Sequence, residues 1–131
     1  MRMVKFAKIF FLVMATVIFI DIKSCTAESL KFIDSEGDTG YFVDTDSFAE
    51  ENNSVFRVNM VVIRINLNEM DAVNLRINHR LQTYIIRSIK TYSYDKRTEI
   101  KSDDQIRPTR NYQEKSLMGD LVKLVLEGEL D

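Results

Sequence analysis

The sequence predicts an α+β domain: a curved antiparallel β-sheet with one C-terminal amphipathic helix packed on it. Most of the chain after residue 27 alternates β-branched or aromatic residues with polar ones, which is typical of strands. After Ser116 the apolar residues recur every three or four positions, which is the period of a helix. An amphipathic helix needs an apolar surface to cover, and the sheet supplies it.

Residues 1–27 have the layout of a secretory signal. Three basic side chains precede an apolar run, and a segment of small residues follows it: Arg2, Lys5 and Lys8, then residues 9–20, then residues 24–27. The run is shorter than the about 20 apolar residues that a membrane-spanning helix needs. We therefore expect export with cleavage after Ala27. Acylation of Cys25, which would tether the protein to a membrane, is the alternative, and an uncleaved anchor is a third possibility.

Residues 28–131 are expected to form one domain without an internal disulfide, because Cys25 is the single cysteine of the chain. Residues 28–73 carry ten acidic and three basic side chains, whereas residues 74–115 carry ten basic and five acidic ones. The basic residues are interspersed with acidic ones, so we expect pairing between strands rather than a nucleic-acid surface.

The first half of the domain reads as a hairpin followed by a long strand. Residues 30–33 and 41–44 form the arms of the hairpin, around a polar turn over residues 34–40. The strongest strand signal covers residues 55–67, and its apolar positions change face near Val61. Such a change requires a bulge, a bend or burial on both faces, and we expect a central, curved strand.

A second long β segment is predicted from Arg76 to Tyr94, with a break in its alternation at residues 87–90. Residues 95–97 then form a turn into a short strand at residues 98–100. Residues 103–114 are polar, include the single proline, and are expected to form an exposed loop.

The C-terminal helix is predicted to begin after Ser116, which suits an N-cap, and to stop at Gly128. Asp120 in its first turns favours the helix dipole. The apolar side consists of leucine, valine and methionine: Leu117, Met118, Leu121, Val122, Leu124 and Val125.

Four segments occur in an order that is typical of one family of domains. They are residues 40–48, GYFVDTDSF; residues 77–84, INHRLQTY; Tyr94-Asp95; and residues 116–125, SLMGDLVKLV. The first resembles the YYID-x-x-S-I signature near the start of the surface-adhesin protein E-like family of small exported bacterial domains, and the second resembles that family's IN-C-K-x-R-T-Y segment. The third is similar to the YD of the family's next strand, and the fourth is similar to its terminal helix.

The resemblance implies an antiparallel sheet with a C-terminal helix, export, and an adhesin-like role in binding extracellular or envelope proteins. The family pairs a cysteine in the sheet with one at the helix end, and His79 and about Leu126 stand at these positions here. The family's domain usually has a tryptophan near its start. This chain has no tryptophan, and Leu30 or Phe32 lies near that position. Apolar packing must then replace a crosslink worth about 2 to 4 kcal/mol.

No catalytic, metal or cofactor site is expected. His79 is the single histidine, and it has neither a second histidine nor a nucleophile motif beside it, so a strand role is favoured over a general base. Asp34, Glu36 and Asp38 alternate as calcium ligands can, but the other residues of a calcium loop are missing, which favours a polar turn.

We expect the aromatic residues to serve mainly as core, and the exposed candidate for protein contact is Tyr112 with Arg107 and Arg110. The sequence thus favours a non-enzymatic exported bacterial domain, at the surface or in the periplasm, that binds proteins through this loop or a free sheet edge. Homodimerisation through that edge, and an envelope accessory role without a host ligand, are the alternatives.

Overall fold

A computed structural model describes residues 29–127, and it confirms the predicted α+β fold class. The elements are β1 (Leu30–Glu36), β2 (Thr39–Glu50), β3 (Val55–Arg64), β4 (Glu69–Asn78), β5 (Thr83–Ser93), β6 (Glu99–Asp103), β7 (Arg110–Asn111) and helix α1 (Leu117–Leu126). The signal segment, Cys25 and the expected stop at Gly128 lie outside the described residues.

The strands form one antiparallel sheet in which β1 to β6 lie side by side in chain order, and β7 also pairs with β5. Both arms of the first hairpin are longer than the sequence suggested, because Glu36 pairs with Thr39 around a two-residue loop. Gly37, the first loop residue, has a φ of +59°. A glycine at this position is typical of type II′ hairpin turns.

Strand β3 is the centre of the sheet, and the change of face at Val61 reflects burial on both of its faces. Its ladder with β4 continues without a register shift from Val55 to Arg64, so no bulge is needed on that side. The strand ends at Arg64 rather than Leu67, because residues 65–67 form a 3₁₀ turn that leaves Leu67 63% exposed.

The predicted single β segment from Arg76 to Tyr94 is wrong, because the chain reverses between β4 and β5. The Asn78 side chain accepts hydrogen bonds from the backbone N–H groups of Arg80 and Leu81, and Gln82 has a φ of +56°. This turn uses an asparagine side chain in place of the usual glycine or proline.

The break in alternation predicted near residues 87–90 is confirmed as a bulge in β5. Asn74 of β4 pairs with Ser88, whereas the next residue, Leu75, pairs with Ile86, so Arg87 is the additional residue. The predicted turn and short strand after β5 are also confirmed, as the β5–β6 hairpin.

Helix α1 begins as predicted. The Ser116 hydroxyl accepts a hydrogen bond from the Gly119 N–H at 3.1 Å, which caps the first turn. A Cβ at residue 119 would lie 2.5 Å from the carbonyl oxygen of Gln113 and closer still to that of Glu114. The helix can therefore pack against the preceding segment only because residue 119 is glycine.

One face of the sheet and the helix enclose the main core. The buried residues of this main core are Val43, Phe56, Val58, Met60, Val62, Val73, Leu75, Ile77, Tyr112, Met118, Leu121, Val122 and Val125. Strands β2, β3 and β4 and the helix therefore share one continuous apolar layer, as the predicted helix-on-sheet packing requires.

The opposite face of the sheet carries a second, smaller core of five buried residues: Leu30, Phe42, Val61, Ile63 and Met70. Phe32, Tyr92 and Tyr94 pack at its margin, and the guanidinium of Arg97 lies 4.5 Å from the centre of the Tyr94 ring. This second core explains why β3 is buried on both faces.

Candidate functional site

The candidate site is the sheet edge formed by residues 99–111, which run along the outer side of β5. Asp103 of β6 pairs with Ile89, and Arg110 of β7 pairs with Tyr84. Between them the Arg107 N–H donates a hydrogen bond to the Ile86 carbonyl at 3.0 Å. The exposed loop expected at residues 103–114 is confirmed over residues 104–109, which have no regular secondary structure and are exposed except for the partly exposed Arg107. The prediction is wrong at Asp103, which belongs to β6, and at residues 110–111, which form β7.

Every residue of β6 is exposed, although the strand belongs to the sheet. Ile100 is 55% exposed and Ile106 is 64% exposed, so the edge presents two large apolar side chains to solvent. Edge strands present unpaired backbone groups, and proteins often protect them with charged side chains. Here Glu99, Lys101 and Asp103 supply such charges along β6.

The direction of the backbone groups follows from the β5–β6 hairpin. The Ser93 N–H donates to the Thr98 carbonyl, and the Ser93 carbonyl accepts from the Arg97 N–H, so Ser93 directs both groups toward β6. By the alternation of a strand, Thr91 does the same and bonds its pairing partner Lys101. The next residue, Ser102, therefore directs its N–H and C=O away from the sheet.

The structure separates the three residues expected to form an exposed contact patch. Arg110 is exposed, and Arg107 is partly exposed, with its guanidinium 2.8 Å from the Asp103 carboxylate. The expected exposure of Tyr112 is wrong, because this residue is 9% exposed and belongs to the main core. Its ring lies 6.5 Å from that of Tyr84, and burial raises the pKa of the Tyr112 hydroxyl.

His79 lies in the β4–β5 turn rather than within a strand. Its backbone N–H donates to the Ser54 carbonyl at 2.9 Å, and its Nε2 is 3.1 Å from the Asn53 carbonyl oxygen. The ring also lies 6.1 Å from the Phe56 ring. These contacts join two loops at one end of the sheet, which is a structural role.

The acidic residues of the first hairpin lie at the opposite end of the sheet, and the Asp38 carboxylate accepts a hydrogen bond from the Asn66 side chain. Within residues 29–127, no group of three or more histidine, cysteine or acidic side chains is arranged to hold a metal ion. The described residues also include no helix that is long and apolar enough to cross a membrane.

Asp44 is the one acidic residue that is almost fully buried among the described residues, at 5% exposure. Burial raises the pKa of its carboxyl above the ordinary 3.8, while hydrogen bonds from the Ser29 side chain and the Asp46 N–H act in the opposite direction. The Ser47 hydroxyl donates to the Asp44 carbonyl and accepts from the Asn59 N–H, across a register shift in the β2–β3 ladder. Asp44 and Ser47 thus hold an irregular stretch of β2 in place.

Comparison of the chain with models of known families, with curated proteins and with solved structures finds no match. The resemblance to the surface-adhesin protein E-like family therefore stays a prediction from its motifs. The exposed edge at residues 99–111 is the candidate site that the geometry itself supplies.

Proposed function

We propose that this protein is a non-enzymatic, exported bacterial domain that binds an extracellular or envelope protein along the outer side of β6. The observation that carries the proposal is the complete exposure of β6 at the edge of an otherwise well-paired sheet. An extended segment of a partner can add to such an edge through backbone hydrogen bonds.

The side chains of the edge favour a partner that has both apolar and charged residues. Ile100 and Ile106 offer apolar contacts, while Lys101 and Arg110 offer positive charge beside them. In strand addition the backbone bonds supply affinity and the alternate side chains supply specificity. Because Glu99 and Asp103 lie on the same strand, the partner segment is expected to alternate apolar residues with charged residues of both signs.

The test uses two substitutions at Ser102, whose N–H points away from the sheet. Ser102→Pro removes that donor without removing a bond to β5, since proline is tolerated at outward-facing positions of edge strands. Ser102→Ala is the matched control, because it keeps the N–H. With immobilised fibronectin, collagen and laminin as probes, we expect Ser102→Ala to bind like the unchanged protein and Ser102→Pro to bind about tenfold more weakly.

Equal binding by the two variants would exclude strand addition at β6. If the unchanged protein binds none of the probes better than an unrelated exported domain does, adhesion is rejected and an envelope accessory role is favoured. Analytical ultracentrifugation covers the remaining case, in which the partner is a second copy of the chain. A dimer that Ser102→Pro converts to a monomer would replace the proposed protein partner by self-association.

Export is the other part of the proposal, and the signal-like composition of residues 1–27 supports it. Mass spectrometry of the N-terminus of the protein from its native host tests it. A chain that starts at Glu28 indicates release, and an acylated Cys25 indicates tethering to a membrane. A full-length chain recovered from the cytoplasm would contradict export.

A further inference from the structure

Two arginines face each other on the side of the sheet opposite the helix. Arg57 of β3 pairs directly with Arg76 of β4, and the neighbours of both along the chain belong to the main core. Since side chains alternate between the faces of a sheet, both arginines lie on the face that the helix does not cover. Like charges directly opposite each other destabilise a sheet, so this pairing calls for a compensating group.

The compensating group is Glu51, in the loop after β2. One of its carboxylate oxygens lies 3.0 Å from Arg57 Nε, and the other lies 3.0 Å from both Nε and an Nη of Arg76. The hydrogen bond from Arg76, with the charges of Arg76, Arg57 and Arg87, lowers the pKa of the Glu51 carboxyl. One carboxylate therefore bridges two guanidinium groups, as a bound anionic group would.

Arg87 adds a third positive charge to this arginine cluster of Arg57, Arg76 and Arg87. It is the bulged residue of β5, and no hydrogen bond or ion pair joins its guanidinium to another residue between 29 and 127. The side chains of Arg57 and Arg76 are 44% and 42% exposed, so their remaining N–H donors reach solvent. Two guanidinium groups share the Glu51 carboxylate and a third acts on it through its charge alone, in a chain whose formal net charge is −2.

Neutral hydrogen-bonding groups lie beside the arginine cluster on the same face. Two residues along each strand from the arginines, Asn59 of β3 pairs with Asn74 of β4 on the same face. The Asn74 side-chain amide donates a hydrogen bond to the Asn59 side-chain oxygen at 2.8 Å. Ser88 pairs with Asn74 and extends the row onto β5. Charged donors and uncharged amides thus adjoin each other on an open sheet face.

We propose that the arginine cluster binds the sulfate or carboxylate groups of an acidic polysaccharide. Guanidinium groups bind such anions through paired, charge-assisted hydrogen bonds. The adjoining amides suit the hydroxyl groups of a sugar, which an acidic peptide side chain does not offer. Glu51 occupies the position of one anionic group, so the polysaccharide competes with Glu51 for Arg57 and Arg76. This site is separate from the β6 edge and does not depend on the protein-binding function proposed for it.

The test measures binding of the full chain, processed by its own secretion route, to heparin by isothermal titration calorimetry. Arg87→Gln removes a charge that is engaged in no ion pair with the described residues, and we expect binding to weaken about tenfold. Glu51→Gln removes the competing carboxylate, and we expect binding to strengthen several-fold. Lys123→Gln, on the exposed side of α1, changes the net charge as Arg87→Gln does and is expected to leave binding unchanged.

Neutral dextran tests whether binding requires anionic groups, and polyglutamate tests whether an acidic peptide binds as well as a polysaccharide does. Circular dichroism confirms that each variant is folded. The proposal is overturned if heparin does not bind, if Arg87→Gln and Lys123→Gln weaken binding equally, or if Glu51→Gln weakens it. Binding of polyglutamate as tight as that of heparin would assign the cluster to acidic peptides instead. Loss of heparin binding with an intact response to the Ser102 variants would reject this site alone.

Discussion

Strands β3 and β6 belong to the same sheet but have opposite surroundings. Seven of the ten residues of β3 are buried, and its apolar side chains enter both the main core and the second core. All five residues of β6 are exposed, and none of them belongs to either core. The difference indicates that β3 contributes to stability, whereas the side chains of β6 contribute little to it.

The sharpest test of this difference compares one isoleucine from each strand. Ile63 of β3 is fully buried and Ile100 of β6 is 55% exposed. We expect Ile63→Ala to lower the free energy of unfolding by about 2 to 5 kcal/mol, because it leaves a cavity. Ile100→Ala should change it by less than about 0.5 kcal/mol. Urea unfolding measures both values, and similar losses for the two variants would contradict the division between the strands.

The helix supplies the next comparison, because it covers β3 and makes no core contact with β6. Leu121 is fully buried, whereas Leu126 in the same helix is 45% exposed. Leu121→Ala is expected to destabilise the protein by about 2 to 3 kcal/mol, near the lower end of the range for buried leucines. Leu126→Ala is the control and should cost less than about 1 kcal/mol. Equal thermal stability of the two variants would show that the helix does not hold the sheet.

Gly119 tests whether the segment that follows the edge is anchored against the helix. In an open helix, replacing glycine by alanine stabilises by about 1 kcal/mol. Here the added Cβ would meet the backbone carbonyl oxygens of Gln113 and Glu114, so we expect Gly119→Ala to destabilise by about 1 to 3 kcal/mol. Calorimetry measures the change, and an increase in melting temperature would refute this close packing.

The smallest expected effect is a pH dependence that arises from Asp44, beside the central strand. Because burial raises the pKa of its carboxyl, the folded protein binds this proton more tightly than the unfolded chain does. Its contribution to the free energy of unfolding is therefore lost as pH rises from 3.8 through the raised pKa of the folded state. Asp44→Asn should remove that part of the pH profile, as measured by urea unfolding between pH 3 and 7. An unchanged profile would rule out Asp44 as its source.

Strand β3 could be predicted from the sequence because the alternation of its apolar and polar residues reflects which of its faces are buried. The change of face at Val61 required an explanation, and burial on both faces provides it. The break in alternation predicted around Arg87 likewise corresponds to the bulge that is found in β5. The Ser116 cap and the helix after it followed from side-chain chemistry and spacing that depend on local sequence alone.

The edge and the turns were less predictable, since their signals are weak or depend on distant partners. The turn after Asn78 contains neither glycine nor proline, and the asparagine was its one local signal. Tyr112 lies in a polar stretch, and only its pairing beside Gln82 carries it into the core. The arginine cluster required the β3–β4 register, which brings Arg57 and Arg76 together from positions 19 apart in the sequence.

The most direct test of the central claim, that β6 is an open edge ready for a partner strand, is amide hydrogen exchange measured with and without a bound matrix protein. In the free protein we predict that the amides of β3 exchange slowest and that the Ser102 amide exchanges fast. Binding should slow exchange in Glu99–Asp103 and leave β3 unchanged. Protection of Ser102 equal to that of β3 in the free protein, or binding that leaves β6 exchange unaltered, would contradict the account.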